Sequence, residues 1–219
     1  MKYRSVFDII GPVMIGPSSS HTAGAARIGR VARQLFGKAP KTVTIRLYGS
    51  FAKTYKGHGT DVALIGGLLD FDTFDERIVQ AVRLAEETGM AVEFIEEDEH
   101  TDHPNTVRLH LKDNEDELDI VGVSVGGGKI EITELNGFEI SLSGSHPALL
   151  VVHQDRYGAV ATVASILAEH EVNISHMEVS RKLKGQVALM VIETDQEVSQ
   201  AIATDCLARP NMLNVAVLA

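Results

Sequence analysis

Apolar residues recur at helical spacing in the first part of the chain. Ala25, Ile28, Ala32, Leu35 and Phe36 share one face of a helix that the pattern starts between Ser20 and Ala23 and stops at Gly37. Arg27, Arg30 and Arg33 line another face of it. The period then changes to two. Val43, Ile45 and Leu47 alternate with Thr44, Arg46 and Tyr48, the mark of a half-buried strand that ends at Gly49-Ser50. The residues that follow read as a long loop, after which a second helix is expected from Gly57-His58-Gly59-Thr60-Asp61 through Leu68. A third helix is expected from Asp75 to Thr88, with Ile78, Val79, Val82 and Ala85 as its apolar stripe before Gly89. Short strands follow: Val92 to Ile95, Thr106 to Leu111, Leu118 to Val125, Lys129 to Thr133 and Phe138 to Leu142, with Asn136-Gly137 among the turns. This order predicts an α+β domain whose helices pack on a largely antiparallel sheet.

Ser143-Gly144-Ser145-His146-Pro147 breaks the pattern and is the expected domain boundary, dividing the chain into 1–145 and 146–219. Beyond it the order is strand (Ala148 to Val152), helix (Tyr157 to His170), strand (Ile174 to Arg181), strand (Gln186 to Glu193), helix (Gln196 to Leu207) and strand (Leu213 to Leu218). That is the ferredoxin-like βαββαβ order, with Lys184-Gly185 as the hairpin turn.

Composition narrows the functions open to such a chain. Of the 219 residues, 44% are hydrophobic and 23% charged, the balance of a globular protein. No apolar run approaches the roughly 20 residues that span a bilayer. The N-terminal stretch meets Asp8 and Gly11-Pro12 too early for a secretory signal, so the cytoplasm is the expected location. A formal charge of −10 disfavours nucleic acid and anionic membranes as partners. The single cysteine, Cys206, can neither close an internal disulfide nor alone hold an iron-sulfur cluster, and any such cofactor must come from another chain.

Candidate chemistry gathers at helix entrances. Pro17 and the serines Ser18, Ser19 and Ser20 precede a helix start, where hydroxyls cap and free N–H groups suit a carboxylate. His21 adds a group that titrates near neutrality, and Thr22 adds another hydroxyl. The plainer reading is an ordinary serine cap beside a surface histidine. In Gly57-His58-Gly59-Thr60-Asp61 two glycines allow close backbone approach to a ligand, with Thr60 or Asp61 as cap. Gly126-Gly127-Gly128-Lys129 lacks the remaining residues of a phosphate-binding loop and reads as a tight turn. His100 and His103, in His100-Thr101-Asp102-His103-Pro104-Asn105, suit a solvated loop better than a zinc site that needs about four ligands. Ser20-His21 is not a hydrolase dyad by adjacency alone.

In the second half, Asp155-Arg156-Tyr157-Gly158 and Glu171-Val172-Asn173-Ile174-Ser175 flank the first helix. Together with the element order, these residues resemble the ACT domain, a module that pairs with a copy of itself and binds amino acids between copies. The resemblance places Asp155, Gly158, Asn173 and Ile174 near an effector pocket. Val6-Phe7-Asp8-Ile9-Ile10-Gly11-Pro12, Gly16 to Gly24, Tyr48-Gly49-Ser50 through Asp61, and Val125 to Ile130 occur in one order. Nearly the whole chain thereby resembles the β chain of bacterial iron-sulfur L-serine dehydratases, with a first domain similar to the allosteric-substrate-binding domain of some phosphoglycerate dehydrogenases. The resemblance implies a partner α chain that ligates a [4Fe-4S] cluster, an αβ heteromer, and conversion of L-serine to pyruvate and ammonia. It leaves two roles for the first domain. One is completion of the active site, with His21 and His58 catalytic and Ser18, Ser19, Ser20, Thr22, Gly57, Thr60, Asp61, His103 and Asn105 binding substrate. The other is a separate allosteric serine site. A stand-alone amino-acid sensor is the alternative to an enzyme subunit.

Overall fold

The computed structural model describes residues 12–218, so the expected motif over Val6 to Gly11 lies outside the described residues. The chain forms two compact units, 1–136 and 137–219.

In the first unit, β1 (Thr42–Leu47), β2 (Ala91–Glu96), β3 (Thr106–Lys112), β4 (Glu117–Gly126) and β5 (Lys129–Leu135) lie in the order β2-β1-β3-β4-β5. Only the β1–β2 pair among these is parallel, and the helical segments between the two strands supply the crossover that a parallel pair requires. Alternation fixes the register: Val43, Ile45 and Leu47 sit opposite Leu111, Leu109 and Val107, and all six are buried. Thr44, Arg46, Arg108 and His110 occupy the other face, where Arg108 is bonded to Glu134 at 2.8 Å and to Asp119. The triple-glycine segment is the tight turn expected. Gly127 and Gly128, at φ 62° and 76°, join β4 to β5 in the mirror-image turn that suits twisted hairpins.

The helical layer is built on small residues. Helix α1 (Gly24–Phe36) ends at Gly37 as expected, and it crosses α3 (Thr60–Leu68) with almost no side chain between the two backbones. A Cβ on Gly67 would overlap the Ala26 carbonyl oxygen and lie 2.6 Å from the Arg30 nitrogen, and one on Gly29 would overlap the Leu64 carbonyl oxygen. On its other side α1 rests on β4, where a Cβ on Gly122 would come 2.7 Å from Ile28 and one on Gly24 would overlap the Ser124 hydroxyl.

Two segments depart from the sequence pattern. The expected loop after β1 is a helix, α2 (Gly49–His58), which buries Phe51, Ala52 and Tyr55. Its apolar face is only those three residues, too short a stripe to register against Lys53, Lys56 and Gly57. The expected helix over Asp75 to Thr88 is two pieces: a 3₁₀ turn (Glu76–Gln80), capped by Asp75 through the Arg77 N–H, and α4 (Ala81–Glu87). The break at Gln80, φ −112°, rotates the buried face. Ile78, Ala81 and Ala85 are inside, while Val79 and Val82 are exposed.

The second unit contains β6 (Phe138–Leu142), β7 (Ala148–Gln154), α5 (Ala159–Glu169), β8 (Ile174–Arg181), β9 (Val187–Thr194), α6 (Gln200–Leu207) and β10 (Met212–Leu218). Its four-stranded sheet has the order β10-β7-β9-β8, the ferredoxin-like arrangement expected. Leu149, Val151, Met190 and Ile192 from the sheet pack with Val163, Ile166, Leu167 and Ile202 from the helices. Helix α5 starts two residues later than expected because Gly158 turns left-handed, φ 87°, in front of it.

Gly67→Ala is expected to destabilise the first unit by about 2–3 kcal/mol, the cost of forcing a methyl between packed backbones. Gly57→Ala, where a Cβ meets nothing within 4 Å, is expected to stabilise it by about 0.5–1 kcal/mol. Urea midpoints at unchanged m-value are the check.

Candidate active site at the entrance to the first helix

Helix α1 is preceded by one π turn, Ser19–Ala23, which is the centre of the candidate site. Such wide turns are uncommon and favour functional positions. Ser18 caps it: its hydroxyl accepts the His21 N–H at 3.2 Å and its carbonyl accepts the Thr22 N–H at 2.8 Å. The expected serine cap is therefore present, and it is Ser18. Gly16, at φ 131°, brings the chain in against Thr22.

The turn places the His21 ring against both ends of α2. Its centroid lies 4.8 Å from that of His58 and 5.3 Å from that of Phe51, both in edge-on geometry. Nε2 is 3.0 Å from the Ser50 hydroxyl and Nδ1 is 3.4 Å from that of Ser18. Burial, and after it the charge of a protonated His58, hold His21 below the ordinary histidine value of 6.5. Its adjacent Ser20 is not the hydroxyl recorded against either ring nitrogen.

His58 ends α2, and Gly59, left-handed at φ 67°, turns the chain directly into α3. Thr22, expected to offer its hydroxyl to substrate, is buried and donates that hydroxyl to the His58 carbonyl at 3.0 Å, tying the π turn to the end of α2. Thr60 and Asp61 do not cap α3 in the expected way. The N-cap position is Gly59, the Asp61 carboxylate accepts the Val62 N–H, and the Thr60 hydroxyl is buried without a partner. Gly57 is exposed and open, while Ser19 and Ser20 are half-buried in the π turn.

His103 and Asn105 reach the site through neighbours. His103 Nδ1 accepts the Asn105 N–H at 3.1 Å, which commits that nitrogen within the loop. Pro104 between them accepts the Ser50 N–H at 2.6 Å, and Gly49, φ 53°, packs against it where a side chain would collide. Asn105 exchanges backbone and side-chain bonds with Ser124 of β4. Ser50, Phe51 and Ser124 were not singled out from the sequence, because only the crossing of separate elements brings them beside His21.

Three buried polar atoms stand without a hydrogen-bond partner on elements that pack against the π turn: His58 Nδ1, Thr60 Oγ1 and Ser124 Oγ. Buried polar groups are nearly always satisfied, and unsatisfied ones concentrate where a ligand or reacting group supplies the missing partner. Two imidazoles amid hydroxyls suit a small polar substrate and proton transfer.

The effector residues expected in the second unit fall in two places. Asp155, whose carboxylate accepts the Gly185 N–H at 2.7 Å and pairs with Arg181, and Gly158 stand before α5. Asn173, bonded to Asp195 and Gln196, and Ile174 stand after it. An eleven-residue helix is about 16 Å long, so within one copy these residues do not form one pocket.

His21 is expected to titrate below 6.5. Because the unfolded chain takes the proton first, the stabilisation associated with neutral His21 is complete above pH 6.5 and is lost as pH falls through the lowered value. His58→Ala removes the like charge and is expected to move the His21 titration up toward 6.5, as read by NMR of the imidazole.

A family model described as serine dehydratase beta chain matches residues 5–88, and one described as ACT domain matches residues 148–205. The chain is 62% identical, over the full length of both, to a probable L-serine dehydratase, beta chain, of Bacillus subtilis (strain 168). It is 35% identical over 205 residues, 93% of this chain and 92% of the other, to the L-serine dehydratase beta chain of Peptoniphilus asaccharolyticus. It is 24% identical over 194 residues, 89% of this chain and 37% of the other, to a D-3-phosphoglycerate dehydrogenase of Bacillus subtilis (strain 168). With its π-turn site and its ferredoxin-like second unit, the chain belongs to the serine dehydratase β-chain family and carries an ACT domain.

Proposed function

We propose that this chain is the β subunit of a cytoplasmic L-serine dehydratase, L-serine to pyruvate and ammonia, and that its first unit completes an active site shared with an α chain. One observation carries the reading: the His21 and His58 rings meet edge-on, their centroids 4.8 Å apart, with His58 Nδ1 buried and unpartnered. An unprotonated imidazole is a base suited to taking the α-proton of an amino acid, and hydroxyls around it orient the substrate. Loss of that proton and of the β-hydroxyl gives aminoacrylate, whose imine form hydrolyses to pyruvate and ammonia. His58, with its free nitrogen, is the proton acceptor. His21 is the neutral neighbour that fixes its edge.

The [4Fe-4S] cluster of the complex belongs to the α chain. This chain's residues do not fit it: Cys206 is its only cysteine, lies in the core of the second unit, and has its thiol pushed up by burial. The ACT domain adds regulation through an amino-acid effector. Since Asp155 and Gly158 stand at one end of α5 and Asn173 and Ile174 at the other, two copies are needed to bring the two groups to one pocket.

Serine dehydration assayed with the purified chain, and again after anaerobic mixing with the iron-sulfur α chain, tests the reading. Activity is expected only in the mixture. His21→Ala and His58→Ala are each expected to lower turnover at saturating serine by at least about 100-fold, the lower range for loss of an acid-base group. Full turnover with altered serine activation assigns the pair to an allosteric site. Serine binding without activity in any mixture assigns the chain to the sensor alternative.

A further inference from the structure

The first unit fixes His21 more firmly than a catalytic reading of the two histidines alone requires. Its ring nitrogens face two hydroxyls that belong to different parts of the fold, Ser18 at 3.4 Å and Ser50 at 3.0 Å. Ser18 is close in sequence and its hydroxyl already accepts the His21 N–H. Ser50 is not local. It is the second residue of α2, twenty-nine positions away, and its contact with Nε2 is the shorter of the two.

Ser50 is itself anchored on both sides. Its N–H, which as a first-turn helix donor has no partner within α2, is satisfied by the Pro104 carbonyl at 2.6 Å. Its own carbonyl accepts the Thr54 hydroxyl at 2.8 Å. Gly49 before it adopts φ 53° with Pro104 so close that a side chain there would collide, which sets the entry angle of the helix. Phe51, the next residue, packs edge-on to the His21 ring. The start of α2 is thus a clamp with a hydroxyl at its tip.

We infer that Ser50 is a positioning residue: its hydroxyl holds His21 through Nε2 in one ring orientation, and so sets the edge that His21 presents to His58. The inference rests on the proposed function for its consequence in turnover, but its first consequence is in the histidine itself. A hydroxyl suits this place because it offers one donor and two acceptor positions, and it brings no full charge to the ring as a carboxylate would. The 3.4 Å contact to Ser18 is too long to hold the ring by itself.

The test uses the full chain, alone and in complex with the α chain, as wild type, Ser50→Ala and Ser50→Thr. In the chain alone, nuclear Overhauser contacts of the His21 ring to Phe51 and its side-chain coupling constants are expected to show one ring orientation in the wild type, several in Ser50→Ala, and recovery in Ser50→Thr. In the complex, Ser50→Ala is expected to lower kcat at least about tenfold, part of the roughly 10²-fold that a small misplacement costs, with KM changed less than about threefold. Ser50→Thr is expected to restore most of it. An unchanged single His21 ring orientation in Ser50→Ala overturns the inference, whatever the turnover, as does loss of turnover in Ser50→Thr equal to that in Ser50→Ala. A wild-type complex without dehydratase activity refutes the proposed function instead, and leaves the NMR result to decide the role of Ser50.

Discussion

The crossing of α1 and α3 at Gly29 and Gly67 is the constraint on which the candidate site depends. The π turn with His21 leads directly into α1, and His58 stands immediately before α3, so the distance between the two rings is set by how closely the helices meet. Gly29 lies six residues beyond the end of the π turn, and Gly67 lies seven beyond Thr60, the first residue of α3, distances of about 9 and 10 Å along the respective axes. A methyl group at the crossing would act on the histidines through those short, stiff arms. Gly24 and Gly122 hold α1 against β4 from the other side, so the helix has no direction in which to yield.

Electrostatics follow from that geometry. Two imidazoles whose centroids are 4.8 Å apart resist carrying charge together, and burial adds to the effect for His21. The partners of its ring nitrogens are hydroxyls, whereas the histidine of a serine-protease triad leans on a buried carboxylate that favours its protonated form. The chemistry that fits is correspondingly different. His21, neutral beside His58, gains from hydroxyl neighbours, since a nearby carboxylate would raise its pKa and favour a second charge there.

The second unit obeys a separate logic. Its helices and sheet bury one continuous apolar cluster with Cys206 inside it, so the thiol contributes packing rather than reactivity. Its polar features lie at the ends of α5. Asp155 is satisfied by Gly185 and Arg181, and Asn173 by Asp195 and Gln196, so both turns are held by their own hydrogen bonds.

What the sequence could and could not show divides along local and non-local lines. The α1 stop at Gly37, the alternation of β1, the glycine turn after β4 and the βαββαβ order of the second unit depend on near neighbours, and periodicity and turn chemistry were enough to read them. Helix α2 was hidden because its buried face is three residues long. Its stability comes from Phe51 and Tyr55 packing on distant parts of the unit rather than from a repeating stripe. At the site, His21 and His58 were legible from their glycine- and serine-rich surroundings. Thr22 was misjudged, because a threonine hydroxyl offers no sign in sequence of whether it turns outward to a ligand or inward to a carbonyl 36 residues away. Ser50 sits in the Tyr48-to-Asp61 stretch that carries the family resemblance and Ser124 just before Val125 to Ile130, but nothing local marks either hydroxyl as a neighbour of the histidines. The two serines matter because a glycine-lined crossing brings α2, β4 and the π turn to one point, and contact between elements is the information that a linear pattern does not contain.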